Sequence, residues 1–394
     1  GFVSVVVVGA GPYGLSIAAH LSALGVDFRI LGESMQTWRE AMPPGMLLKS
    51  EGFASNLHDP DGAFTLEAYC RERGAPYAPV GLPVPAETFI AYGQAFQQRF
   101  APDLIRQTVT RLSPVEGGFE LATDAGETIC ARRVVVATGI RRYGHIPEPL
   151  SSLPAELVSH SSLYGGLGPL EGRKVIVVGA GASAVDLAAA LEGRAASVTI
   201  VARTPAIRFH GPPRRRTWAD DLRHPMTGLG PGWRSWFAVH APLVFHAMPK
   251  AFRLEVVRRH LGPAPGWFMR ERMDGRVDRR LGVRIVEARA EGGRARLVLA
   301  GADGGSEVLE ADHVVAATGY RVDPRRLGFL GPDLLARLRL AGASPALSTG
   351  FECSVPGLFF VGANAADSFG PLLRFAFGAG FTARRLSLRL ARAF

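Results

Sequence analysis

Gly9, Gly11 and Gly14 stand in the run Gly9-Ala10-Gly11-Pro12-Tyr13-Gly14, directly after the β-branched stretch at residues 3–8. Glycine at this spacing is what a phosphate-binding turn needs: the first permits a tight turn, the second lets the backbone approach a pyrophosphate, and the third lets a helix lie close to a strand. The anion then meets helix N-terminal amides that have no intrahelical partner. Pro12 and Tyr13 complete the turn. Glu33 follows the next strand pattern, residues 26–31, at roughly the ~20-residue distance where a carboxylate accepts from ribose hydroxyls. A second unit repeats the first, with Gly179-Ala180-Gly181-Ala182-Ser183-Ala184 after an apolar strand at 174–178. Its next strand, 197–201, leads to Arg203, where the first unit has glutamate. Arginine attracts a ribose 2′-phosphate and carboxylate repels it, so Gly179, Gly181, Ser183 and Arg203 predict an NADPH site, whereas the first unit suits an ADP moiety without that phosphate.

Both turns need parallel strands beneath them and helices after them. Residues 3–8 read as a buried parallel strand, and residues 15–24 carry the helical pattern that follows. Residues 64–100 have helical periodicity with an aromatic stripe, Phe89, Tyr92, Phe96 and Phe100, which reads as core. Strands are expected at 105–112, 119–122 and 128–136, a small antiparallel meander that includes Val109 and ends in a buried strand. Ala137-Thr138-Gly139 closes that strand, and Ala317-Thr318-Gly319-Tyr320 closes a similar one at 313–316. In each, Thr138-Gly139 or Thr318-Gly319 lets the chain pass a dinucleotide and cross into the next domain. The expected architecture is α/β, with two Rossmann-like dinucleotide domains, the second inserted into the first. The boundaries are 1–152 for the first part of one domain, 153–312 for the other, and 313–394 for the return. Within the inserted domain, about 205–280 is an Arg/Trp-rich helical insertion, including Trp233, Trp236 and Phe237, that either shapes the site or is a structural flap. A last buried strand ends at Gly362 and Asn364, after which Phe369-Gly370-Pro371-Leu372 is expected to start a helix aimed at the ligand.

With 394 residues, 47% of them apolar and 20% charged, the chain is long enough for two or three domains. The net charge of +10 comes from arginine, because Lys49, Lys174 and Lys250 are the only lysines. No nucleic-acid module accompanies the densest cluster, Arg214-Arg215-Arg216, so nucleic acid is not expected as a partner. No apolar run reaches the ~18 residues of a spanning helix, and no membrane partner is expected. Cys70, Cys130 and Cys353 are far apart and form no CxxC, which fits a reducing cytoplasm. Neither a metal cluster nor a nucleophile triad stands out. A homo-oligomer is compatible with the composition.

The two glycine turns, the two Ala-Thr-Gly crossings and Val361-Gly362-Ala363-Asn364 together resemble the single-component flavin-dependent monooxygenases over nearly the whole chain. The passage from Trp38 through Gly45-Met46-Leu47-Leu48-Lys49, with Asp59-Pro60, Phe64-Thr65-Leu66 and Tyr69, is most similar to the N-hydroxylating enzymes acting on lysine or ornithine. The resemblance implies FAD on the first unit and NADPH on the second, with a small organic molecule and O₂ as partners. It also implies a C4a-(hydro)peroxyflavin that delivers one oxygen atom, at nitrogen or sulfur in the first instance. A flavin-dependent NADPH oxidase or dehydrogenase without oxygenation, and Baeyer-Villiger ketone oxidation, are the alternatives. Lys49 and Asn56 are the catalytic candidates. Lys49 occupies the position of a glutamine beside the flavin and is expected to approach flavin or substrate, or else to send its ammonium to solvent. Trp38 either walls the flavin or packs as core. There is no counterpart between Phe53 and Leu57 to the lysine that grips an amino-acid carboxylate. Of the FxGxxxH fingerprint of related monooxygenases only His160 is present, with Pro154 and Glu156 at its other two positions.

Overall fold

A computed structural model describes residues 1–392 apart from Leu261, Pro263, Asp274 and Asp303. Strand Val3–Val8 lies at the centre of the first sheet, parallel to Phe28–Leu31 on one side and to Thr128–Val136 on the other. Val5, Val6 and Val7 have no exposed surface, which a β-branched strand covered on both faces requires. The nine-residue strand Thr128–Val136 serves two structures. Its first half pairs antiparallel with Gly118–Thr123, which pairs in turn with Val109–Val115; its second half is parallel to Leu358–Phe360. The meander is therefore an extension of the first sheet. Residues 105–108, expected in the first meander strand, precede it: Ile105 exchanges hydrogen bonds with Ile30 and Gly32 beside the sheet edge.

The second sheet is wholly parallel, in the order Val158–His160, His313–Ala316, Lys174–Val178, Ser197–Ala202, Asp278–Leu281. His313–Ala316 sits between two strands of the inserted domain. The expected boundary at 312/313 is thus too early, and the return crossing follows Ala316. A further antiparallel sheet, Val283–Glu291, Arg294–Gly301 and Ser306–Ala311, precedes that strand.

The two crossings run side by side. Gly144 bridges Tyr320, the His145 amide donates to the Gly319 carbonyl at 3.0 Å, and the Arg321 amide donates to Tyr143 at 2.8 Å. His160 closes the junction with Nε2 2.9 Å from the Gly319 carbonyl. Its ring fills the space where a Gly144 side chain would begin, 2.5 Å from an ideal Cβ. His160 is thus part of the junction between the two crossings.

Helix Ala86–Phe100 buries Phe89, Tyr92 and Phe96 completely, each such ring contributing about 1.5–3 kcal/mol relative to exposure. The Tyr92 hydroxyl donates to the Phe64 carbonyl at 2.8 Å, so the stripe is core, as its spacing predicts. In the insertion, helices Trp233–His240, Pro242–Ala247 and Lys250–Arg259 reach back to the first domain: Arg253 donates to the Ser368 carbonyl, and His246 Nε2 lies 2.8 Å from the Leu347 carbonyl. Its last residues, Met269, Met273 and Val277, are buried in the core of the second domain. Among the described residues no helix is long and apolar enough to cross a membrane.

Candidate functional site

Each glycine turn is moulded over its crossing segment in the same way. Gly9 has φ +113°, and a Cβ there would lie 2.4 Å from the Ala137 carbonyl oxygen. Gly179 has φ +140°, and its Cβ would lie 2.4 Å from the Ala317 carbonyl oxygen. The two Ala-Thr-Gly segments therefore run directly under the turns, and backbone on both sides leaves no room for a side chain. Gly14 is tighter still, with its Cβ position 1.8 Å from the Gly9 oxygen, while an equivalent atom on Gly11 meets nothing within 4 Å. The open position is the one a pyrophosphate would approach.

Gly11 is the N-cap of helix Pro12–Ala23, with Pro12 at its first position and no side-chain cap. Proline sets φ for the first turn and gives up an amide that would have no partner there, so the helix begins earlier than the apolar periodicity at 15–24 shows. Gly181 caps helix Ala182–Leu191, again without a side chain, and Ser183 is exposed in the first turn. Both helices leave their first amides pointing outward.

Glu33 is partly exposed after Phe28–Leu31 and 3.3 Å from Arg39. Arg203 is exposed just past Ser197–Ala202, and no carboxylate among the described residues pairs with it. The sequence therefore places a carboxylate and a free guanidinium at equivalent ends of two equivalent units.

Thr138 Oγ1 on the first crossing and Asn364 Nδ2 on the turn after Leu358–Phe360 are buried with no hydrogen-bond partner among the described residues. Leaving such a group unsatisfied costs about 1–3 kcal/mol, which a ligand group bonded there would recover. Asn364 is oriented by the Tyr143 hydroxyl, which donates to its Oδ1 at 2.6 Å, and burial holds that phenol above its ordinary pKa. Thr318 donates to the His145 carbonyl and so ties the two crossings together. Gly139, Gly319 and Gly362 all have positive φ. Val109 is buried at the start of the meander.

The end of the chain differs from expectation. Pro371–Arg374 is a short 3-10 turn, Phe375 is extended, and the long helix starts only at Ala379. Tyr13 explains this, because its hydroxyl lies 3.1 Å from the Leu373 carbonyl and 2.7 Å from that of Phe375, which pins the turn open while Leu372 is buried beneath it. Tyr13 is thus a strut of the site rather than a free ligand group.

Asn56 does not present a free amide. Its Nδ2 donates to Phe53 at 2.9 Å and its Oδ1 accepts from the Leu66 amide at 2.7 Å, at the start of helix Leu66–Arg73. Trp38 is half-buried and packs edge-on against Phe89 at 4.6 Å. Lys49 does not reach for solvent: its ammonium donates to the Leu47 carbonyl at 3.0 Å and pairs with Asp186 on helix Ala182–Leu191. A small open cleft lies beside it, lined among others by Glu51, His210, Trp267 and Phe268. Trp233 and Trp236, the tryptophans singled out by the sequence, are 57% and 37% exposed and are not among its walls. Asp186 and the Trp267-Phe268 pair carry no motif in the sequence, although Asp186 is the lone carboxylate on an otherwise apolar helix.

Comparison with known proteins agrees with this geometry. The family profile described as "Pyridine nucleotide-disulphide oxidoreductase" matches residues 6–217. A ferredoxin–NADP reductase of Granulibacter bethesdensis is 37% identical over 134 residues, 32% of this chain and 38% of that protein. The rice (Oryza sativa subsp. japonica) indole-3-pyruvate monooxygenase YUCCA1 is 29% identical over 209 residues, 50% of this chain and 47% of that one. The chain thus spans less than half the length of either relative. Among solved structures, the ornithine N-hydroxylase of Kutzneria sp. 744 superposes with a TM-score of 0.78 at 19% identity, covering 100% of both chains. The ornithine hydroxylase of Pseudomonas aeruginosa gives 0.78 at 18%, covering 100% of this chain and 99% of that one. These likenesses establish the fold over the whole chain.

Proposed function

The chain belongs to the pyridine nucleotide-disulphide oxidoreductase family, and from that premise we propose that it is an FAD- and NADPH-dependent monooxygenase that inserts one oxygen atom into a small organic substrate, at nitrogen or sulfur. The observation that carries this reading is the pair of glycine turns over matching Ala-Thr-Gly crossings, one followed by Glu33 and the other by Arg203. FAD, once bound, supplies hydride acceptance from NADPH and the activation of O₂.

The protein's own residues do the rest. Amides after Gly11 and Gly181 receive the two pyrophosphates. Glu33 accepts from the ribose hydroxyls of FAD, and Arg203 receives the 2′-phosphate of NADPH. Thr138 Oγ1 and Asn364 Nδ2, both buried without a partner among the described residues, lie on the crossing after the first sheet and on the turn after Leu358–Phe360 and complete the FAD site. The antiparallel bridge between the two crossings ties the two units together.

Disulfide reduction, which the family name includes, needs two cysteines that can meet. Cys70, Cys130 and Cys353 are all free and lie on separate segments, and burial raises the Cys353 thiol to about 11. These free thiols also support a cytoplasmic location. Electron transfer without oxygenation is the second reading, favoured by the 37% identity to a ferredoxin–NADP reductase.

The purified protein is expected to carry FAD rather than FMN, because Gly9, Gly11, Gly14 and Glu33 suit an ADP moiety. Anaerobic NADPH should bleach its flavin absorbance. Chromatography of the released chromophore decides the first point and anaerobic titration the second. FMN, or a colourless protein that FAD cannot reconstitute, would overturn the assignment.

A further inference from the structure

The Lys49–Asp186 pair joins three parts of the molecule that are remote in sequence. Lys49 ends the Pro/Gly-broken segment after helix Gln36–Ala41, which is fastened at Leu48 by a 2.8 Å bond to the Val84 carbonyl. Asp186 stands on the helix that opens at the second glycine turn. Phe268, near the close of the insertion, has its ring centroid 5.9 Å from the Lys49 ammonium.

The Asp186 side chain is only 4% exposed, its Oδ2 is taken by Lys49, and its Oδ1 is buried without a partner among the described residues. A carboxylate so placed is costly unless a cation compensates it. It is also badly sited for a nucleotide. Asp186 is five residues beyond Gly181, about 7.5 Å along the helix axis at 1.5 Å per residue, and within a Debye length of the pyrophosphate turn. Left uncompensated, its charge opposes the anion that the turn attracts.

We propose that Asp186 is a positioning residue: through Lys49 it clamps the segment 42–50 onto the nicotinamide-nucleotide unit, and Lys49 in return cancels the carboxylate that would otherwise repel the nucleotide. Seating of the segment and nucleotide affinity are thereby linked. The inference rests on the NADPH reading above.

The test titrates FAD-loaded protein with NADP⁺, following the flavin spectrum, and measures chymotryptic cleavage at Met46, Leu47 and Leu48. K49M leaves the buried carboxylate without its ammonium, so at a pH high enough to keep it ionised the Kd for NADP⁺ should rise about tenfold or more, the ratio that ~1.4 kcal/mol of repulsion gives. K49R keeps the charge and should stay within about threefold of the unaltered protein. D186N removes the charge and keeps the shape, so NADP⁺ affinity should be retained while the segment is cleaved several-fold faster. The double variant K49M/D186N should recover affinity yet remain readily cleaved, a separation that loss of folding alone does not produce. Should K49M not fold, D186N and the double variant still carry both readouts.

The proposal is overturned if K49M binds NADP⁺ within twofold of the unaltered protein, if the double variant binds as weakly as K49M, or if D186N is cleaved no faster. An unaltered FAD-loaded protein that shows no saturable NADP⁺ response overturns the NADPH reading itself, and this inference with it.

Discussion

Gly14→Ala is expected to yield a chain that holds little or no FAD and melts at a markedly lower temperature. The added methyl carbon would sit 1.8 Å from the Gly9 oxygen and 3.0 Å from the Gly9 carbonyl carbon. Both obstacles are backbone, so no rotamer relieves the contact, and helix Pro12–Ala23 must lift away from strand Val3–Val8. Overpacking usually costs about 1–3 kcal/mol, and here the displaced element is the one whose amides hold the anion. Gly11→Ala separates the two effects. Nothing lies within 4 Å of that Cβ position, so the fold should keep its melting temperature while the methyl obstructs the incoming pyrophosphate. The ratio of flavin to protein absorbance, measured beside the thermal melt, gives both quantities. Full FAD occupancy in Gly14→Ala would mean that the first turn does not carry the cofactor.

Arg203→Ala should raise the KM for NADPH roughly ten- to a hundredfold while changing that for NADH little. One charge-assisted bond to the 2′-phosphate is worth about 1.5–3 kcal/mol. NADH lacks that phosphate. Because Arg203 is exposed and forms no ion pair among the described residues, stability should change by no more than about 0.5 kcal/mol. Steady-state NADPH and NADH oxidation by the same preparation provides the comparison. Equal changes for both nucleotides would show that Arg203 does not read the phosphate.

The parts of this molecule that were legible in the sequence are those fixed by local backbone demands. Gly9 and Gly179 announce turns that no other residue fits, and Ala137-Thr138-Gly139 and Ala317-Thr318-Gly319 announce the strand ends beneath them. What was not legible depends on partners distant in the chain. Lys49 read as an isolated cation until the fold brought it to Asp186, 137 residues later. Asn56 has the composition of a catalytic amide, yet its bonds to Phe53 and Leu66 make it a local brace. Trp233 and Trp236 stood out by type, but which face of a helix turns outward is decided by what it packs on, and Trp267 and Phe268 hold the cleft instead. The strand at 313–316 looked like the start of the return because its Ala-Thr-Gly ending resembles the first crossing. Only strand pairing shows that it sits between Val158–His160 and Lys174–Val178.

Oxygen insertion, the centre of the proposed function, is tested most directly by turnover under ¹⁸O₂ with NADPH and a panel of amines, sulfides and ketones, with product masses compared against NADPH consumed. The account predicts an amine or sulfide that accelerates NADPH oxidation and gains one ¹⁸O atom per NADPH. NADPH oxidation that yields only hydrogen peroxide, or that passes electrons to a ferredoxin while every candidate substrate is recovered unlabelled, would contradict it and leave a flavin reductase built on the same two turns.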